Sequence, residues 1–136
     1  MAEAAASAKH VLVVDDTEEI VALFREVLEG MGHRVSAMTF APDDLQEIRR
    51  IEPDLVILDL VIGGEKVGWQ LAQKMRMARD TEGIPIVLCT SATDDVREQE
   101  GWLTSKTIKI LLKPFTVDDL EVAVTKALLL PDITAP

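Results

Sequence analysis

At 136 residues the chain is sized for one domain, with a core that needs no disulfide or metal staple. Fourteen basic residues against 24 acidic ones give a formal charge of −10, which opposes binding to nucleic acid or an anionic membrane surface and suits a cation or a protein partner. The single cysteine, Cys89, excludes an intramolecular disulfide and a cysteine zinc cluster, and no apolar run approaches the ~20 residues of a membrane span, so the expected location is cytoplasmic.

Residues 1–9 are small and alanine-rich and predict a loose tail, with residues 10–130 as the folded domain and 131–136 as a second tail. His10 to Asp15 reads as the first buried strand. Ile20, Phe24, Val27, Leu28 and Met31 then recur at helical spacing, and Gly30 or Gly32 supplies a left-handed stop. Arg34 to Met38 predicts a short strand. Leu45, Ile48 and Ile51 line the next helix, with Pro42 at its first position and Pro53 ending it. The run Leu55-Val56-Ile57-Leu58 lacks alternation, as a central parallel strand covered on both faces does, and it ends in a lone acid, Asp59.

Gly63-Gly64-Glu65-Lys66 reads as a flexible loop, after which Val67, Leu71, Met75 and Ala78 mark one helix face and Gly83 and Pro85 close the segment. Ile86 to Thr90 is another continuous apolar strand, with Cys89 as a core thiol and two hydroxyls, Thr90 and Ser91, at its end. A fourth helix over Asp94 to Thr104 rests on Val96 and Leu103. Ile108 to Leu112 is the last strand and leads into Lys113-Pro114. Val117, Leu120, Val124, Ala127 and Leu128 form the apolar face of the last helix, and Pro131 ends the fold. Strands alternating with helices in this way imply an α/β fold: a parallel sheet, right-handed crossovers and helices on both faces.

Open α/β sheets gather their chemistry outside the carboxyl ends of the strands. There the chain places Asp15 and Asp16, Asp59, Thr90 with Ser91, and Lys113. Three carboxylates at one edge repel one another unless a cation joins them, and an all-oxygen set favours a hard ion such as Mg2+. Asp16 has a second reading, compatible with the first, as the helix N-cap of Asp16-Thr17-Glu18-Glu19. Lys113 reads either as a solvated charge or as the ammonium that faces a transferred phosphoryl group, its turn fixed by Pro114 through a trans or a cis peptide. Thr90 is at home in a strand, and its hydroxyl can also donate to a phosphoryl oxygen. His10 and His33 flank strands with no motif around them and read as structural or exposed.

Taken together, Asp15-Asp16 after Val-Leu-Val-Val, Asp59 after Leu-Val-Ile-Leu, Thr90 after Pro-Ile-Val-Leu-Cys, and Lys113-Pro114-Phe115 resemble the receiver domain of two-component response regulators over about residues 9–130. The resemblance implies a flavodoxin-like five-stranded parallel sheet in the order 2-1-3-4-5. It further implies that Asp59 attacks the phosphorus of a kinase phosphohistidine and becomes an aspartyl phosphate. Mg2+ would be held by Asp15, Asp16, Asp59 and the backbone carbonyl of Val61. Lys113 would pair with the phosphoryl group, and Thr90 would swing toward it as a switch. The implied partners are a histidine kinase or phosphotransfer protein and a downstream protein target, bound through the fourth helix, last strand and last helix. Trp102 reads as part of that surface or as core packing.

The chain departs from the family pattern in three places. Ile110 stands where an aromatic switch usually lies three residues before the lysine, the usual Met-Pro after the acceptor is Val61-Ile62, and Gly63-Gly64 lengthens the loop before Gly68-Trp69. Gly63 to Gly68 has the glycine spacing of a phosphate-binding P-loop, but Trp69 occupies the position that requires lysine. Length and charge leave no expectation of a DNA-binding output domain, which points to a stand-alone receiver acting by protein binding or phosphorelay and not as an enzyme. An aspartate-nucleophile phosphatase wants two acids separated by one residue on the first strand, and Asp15-Asp16-Thr17 does not offer them. A flavin site wants a hydroxyl-rich phosphate loop there, and the chain has no tyrosine to stack on the ring. A degenerate receiver used only for binding is the remaining alternative; the reactive residues, all in place, speak against it.

Overall fold

Every residue of β3, Leu55–Asp59, is buried, and the rest of the molecule is layered around that strand. The computed structural model describes residues 8–42, 44–91, 101 and 108–129. In chain order these form β1 (His10–Val14), α1 (Glu18–Gly30), β2 (Arg34–Met38), α2 (Gln46–Ile51), β3, α3 (Val67–Met77), β4 (Ile86–Thr90), β5 (Ile108–Leu112) and α4 (Val117–Leu128). All neighbouring strands pair in parallel, in the order β2-β1-β3-β4-β5, which is the flavodoxin-like sheet. The strand bounds expected from the apolar runs match for β2, β4 and β5 and differ by one residue for β1.

The unalternating strands are explained by the two layers they separate. Leu12, Val14, Val56, Leu58, Ile86 and Leu88 face one side and pack with Ile48 of α2 and Leu71 and Met75 of α3. Val11, Val13, Leu55, Ile57, Val87 and Cys89 face the other and pack with Phe24 and Leu28 of α1 and Leu120, Val124 and Ala127 of α4. Successive side chains of a strand point to opposite faces, so a strand roofed on both sides must be apolar at every position.

Helix ends differ in detail from the sequence expectation. Gly32, with φ 93, is the left-handed stop of α1, while Gly30 is still helical. Pro42 does not open α2. The helix starts at Gln46, whose N–H is held by the Asp44 carboxylate at 3.0 Å, and it closes at Glu52 in a left-handed conformation immediately before Pro53. The apolar face of α4 begins at Leu120. Val117 is 47% exposed, because the first turn lies outside the layer that Leu120, Val124 and Ala127 enter. A capping box that the sequence reading missed starts this helix, with Thr116 and Asp119 exchanging side-chain and backbone bonds at 3.0 Å each. Of the expected helix over Asp94 to Thr104 only Gly101 lies among the described residues; Trp102, residues 1–7 of the expected tail at 1–9, and the whole of the expected tail at 131–136 lie outside them.

Candidate functional site

Parallel pairing with little stagger brings the carboxyl ends of β1, β3, β4 and β5 to one edge. Val14 is level with Leu58, and Asp59 with Cys89, so Asp15 and Asp59 emerge side by side. Lys113 follows β5 directly, and its backbone N–H donates to the Thr90 carbonyl at 3.0 Å. The Lys113–Pro114 peptide bond is cis. Phe115 stacks on Phe24 of α1 with ring centroids 5.6 Å apart, which ties the segment after Lys113 to the core beneath the site.

Side chains converge there as the strand ends predict. The Lys113 ammonium bonds to Asp59 Oδ2 at 3.0 Å and to Asp15 Oδ2 at 3.3 Å. Asp15 is almost wholly buried, and its other oxygen accepts the Thr17 N–H at 2.9 Å. Asp59 Oδ1 accepts the Val61 N–H at 3.2 Å. Asp16 is exposed and takes the Gly63 N–H at 2.8 Å. It does not cap α1: the N-cap is Thr17, with no side-chain cap bond, because the Asp16 carboxylate is engaged across the site instead. Thr90 is buried at the end of β4, Ser91 is exposed, and Val61 is half-buried beside Asp59.

Charge at this edge is unbalanced. Carboxylate oxygens of Asp15, Asp16 and Asp59 lie within 4.8 Å of one another, and Lys113 is the one cation bonded to the cluster among the described residues. Burial lifts the Asp59 carboxyl above its usual range, against the pull of the Lys113 ammonium and the Val61 N–H. Burial alone would lower Lys113, but the hydrogen bond and charge of Asp59, with Asp15 behind it, hold its affinity for the proton above normal. An excess of two negative charges on hard oxygen donors is a setting that fits a small divalent cation such as Mg2+.

Three features escaped the sequence reading. Gly63 (φ 64) and Gly64 (φ 80) are not a flexible loop but the centre of a tight hairpin closed by Ile62 and Glu65, which bond in both directions at 2.9 and 3.2 Å. Two successive positive-φ residues define a type I′ turn, for which Gly-Gly is suited. Gly68 lies against the end of β3 so closely that a β-carbon would stand 1.7 Å from the Asp59 carbonyl oxygen. Its signal was a lone glycine at a helix start. Arg76, buried on α3, donates to the carbonyls of Glu82 at 3.1 Å and Ile84 at 2.7 Å and so fixes the approach to β4; only its place on a helix with an apolar face could have pointed to it. His10 and His33 are structural: His10 joins Ser36 and Arg34, and His33 accepts the Lys9 N–H.

Comparison with known proteins gives the same fold and a family. Residues 11–125 match the sequence model of the response regulator receiver domain. The chain is 33% identical over 112 residues to the DNA-binding response regulator MtrA of Mycobacterium tuberculosis, covering 82% of this chain and 47% of that one. It is 34% identical over 121 residues to the phosphate regulon transcriptional regulatory protein PhoB of Rhizobium meliloti, covering 88% and 51%. The chain thus spans about half the length of the curated relatives it matches. Among solved structures, the response regulator protein TrrA of Thermotoga maritima in complex with Mg2+-BeF superposes with a TM-score of 0.74 at 28% identity, covering 89% of this chain and 99% of that one. The chemotaxis protein CheY4 of Vibrio cholerae shares the fold at 23% identity and the same TM-score of 0.74, covering 88% and 98%.

Proposed function

Since this chain belongs to the response regulator receiver domain family, we propose that it accepts a phosphoryl group on Asp59 and signals through the change in protein binding that follows. The observation that carries this reading is the Lys113 ammonium held 3.0 Å from Asp59, between that carboxylate and the buried Asp15. In the proposed reaction an Asp59 oxygen attacks the phosphorus of a phosphohistidine; the new P–O bond forms as the P–N bond breaks, and the imidazole leaves with the electron pair and takes up a proton. Phosphoryl transfer asks mainly for alignment and charge neutralisation, which a fixed strand end and a fixed ammonium supply. The Val61 N–H orients the attacking carboxylate through Oδ1.

Asp15, Asp16 and Asp59, with the Val61 backbone carbonyl, are the residues proposed to hold Mg2+, which when bound would neutralise charge on the phosphoryl oxygens. Lys113 offers a point charge to the same oxygens, and Thr90, buried beside it, is the proposed switch residue. The Mg2+-BeF complex of TrrA supports the reading, since a metal and a fluoroberyllate occupy that relative.

The proposed partners are a histidine kinase or phosphotransfer protein upstream and a protein target downstream. DNA binding is stated of MtrA, and this chain's charge of −10 speaks against direct contact of the receiver itself with nucleic acid. No described helix is long and apolar enough to cross a membrane, and we place the receiver in the cytoplasm. Intact mass after incubation with a small acyl phosphate tests the chemistry: one phosphoryl group on the wild type with Mg2+, none without it, and none on Asp59→Asn. An adduct that persists in Asp59→Asn overturns the assignment.

A further inference from the structure

The double glycine after β3 does more than lengthen a loop. Its type I′ turn aims the Gly63 N–H at Asp16 Oδ2, 2.8 Å away and 47 residues earlier in the chain. Asp15 and Asp59 are buried and share the Lys113 ammonium, whereas Asp16 is exposed and is bonded to the hairpin instead. An exposed carboxylate within 4.8 Å of two others is pushed toward solvent by like charge. A charge-assisted bond from backbone held in a closed turn opposes that push, and Oδ1 keeps its lone pairs for another ligand.

We infer that the Ile62–Glu65 hairpin is a positioning element for Asp16, holding its carboxylate beside Asp15 and Asp59 before a cation arrives. The inference rests on the reading that these three acids hold Mg2+. Without the Gly63 N–H, the Asp16 side chain has to be ordered and brought back against repulsion at the moment of binding, and affinity for Mg2+ falls by about 3- to 10-fold.

Two substitutions separate the turn from the glycine. Gly63→Pro removes the donor and cannot adopt φ 64, whereas Gly63→Asn keeps the N–H and creates Asn-Gly, a favoured type I′ pair. Deletion of Gly63 and Gly64 together breaks the same contact by a second route. Each 15N-labelled protein is titrated with MgCl2 while amide chemical shifts are followed, and its metal-free thermal midpoint reports whether it is folded. The expected result is an affinity 3- to 10-fold weaker in Gly63→Pro and in the deletion, and within about 2-fold of wild type in Gly63→Asn. Wild-type affinity in either disrupted variant overturns the inference and leaves the metal reading standing, as does Gly63→Asn weakened as much as Gly63→Pro. A wild type whose shifts ignore Mg2+ overturns both.

Discussion

Gly68→Ala places a methyl group where the fold has no room for one. The added carbon would lie 1.7 Å from the Asp59 carbonyl oxygen, 2.8 Å from its carbon and 3.0 Å from the Leu60 carbonyl oxygen. Ordinary contact needs roughly 3.4 Å, so the start of α3 and the end of β3 must part by about 1.7 Å. Every obstructing atom is backbone, and no rotamer change relieves it. Overpacking of this kind costs up to about 3 kcal/mol, and loss of the Gly68 N–H bond to the Leu60 carbonyl, now 3.1 Å, adds roughly 1 kcal/mol. For a chain of this size a loss of ~3–4 kcal/mol lowers the melting temperature by about 10–15 °C. The displaced atom belongs to the proposed phosphoacceptor, and a shift of about 1 Å at a reacting group can slow transfer on the order of 10²-fold. Thermal unfolding by circular dichroism and the rate of labelling by a small acyl phosphate, taken where the variant is folded, read the two effects. A melting temperature within about 3 °C of wild type, with an unchanged rate, refutes the reasoning.

Asp59→Asn tests the buried charge. Burial raises the Asp59 pKa in the folded state, so its favourable contribution is present below the ordinary value of 3.8 and is lost as pH rises through the folded value. In metal-free buffer the Asn variant should therefore melt higher than wild type at pH 7, with the gap closing below pH 3.8; a wild type that melts higher at pH 7 contradicts this. Burial pushes the Cys89 thiol from 9.0 up to about 12, so native protein at pH 8 should react with iodoacetamide about 10³-fold more slowly than unfolded protein, and equal rates by mass spectrometry would remove the claim. Arg76→Ala strips two carbonyls of a buried guanidinium and should cost about 2–4 kcal/mol in urea unfolding, with Arg76→Lys restoring part of it; a loss under about 1 kcal/mol would mean those bonds contribute little.

What the sequence made legible follows from which interactions are local. Continuous apolar runs at Leu55–Leu58 and Ile86–Cys89 can be read because a strand roofed on both faces needs apolar residues at every position, and their ends locate Asp59 and Thr90 without knowledge of the helices. Asp15, Asp59 and Lys113 converge because parallel register carries strand ends to a common edge. Features set by contacts between distant segments stayed hidden. For Asp16 the sequence offers a helix cap beside the metal-site reading, and only the cap fails, because the partner of its carboxylate, Gly63, lies 47 residues on. Gly63-Gly64 looked flexible since glycine permits many conformations, and only the pairing of Ile62 with Glu65 selects one. Pro42 was misplaced as a helix start because the Asp44 carboxylate, nearer to Gln46, opens α2 instead. The closeness of Gly68 to Asp59 depends on how α3 lies on the sheet, which residue spacing does not encode.

The most direct test of the account is to locate the phosphoryl group. Protein labelled by a small acyl phosphate in Mg2+ would be treated with borohydride, which reduces an aspartyl phosphate to homoserine, then digested and mapped by mass spectrometry. The expected product is homoserine at position 59 alone, dependent on Mg2+. Reduction at Asp15 or Asp16, label on a histidine, or no label at any residue would contradict it.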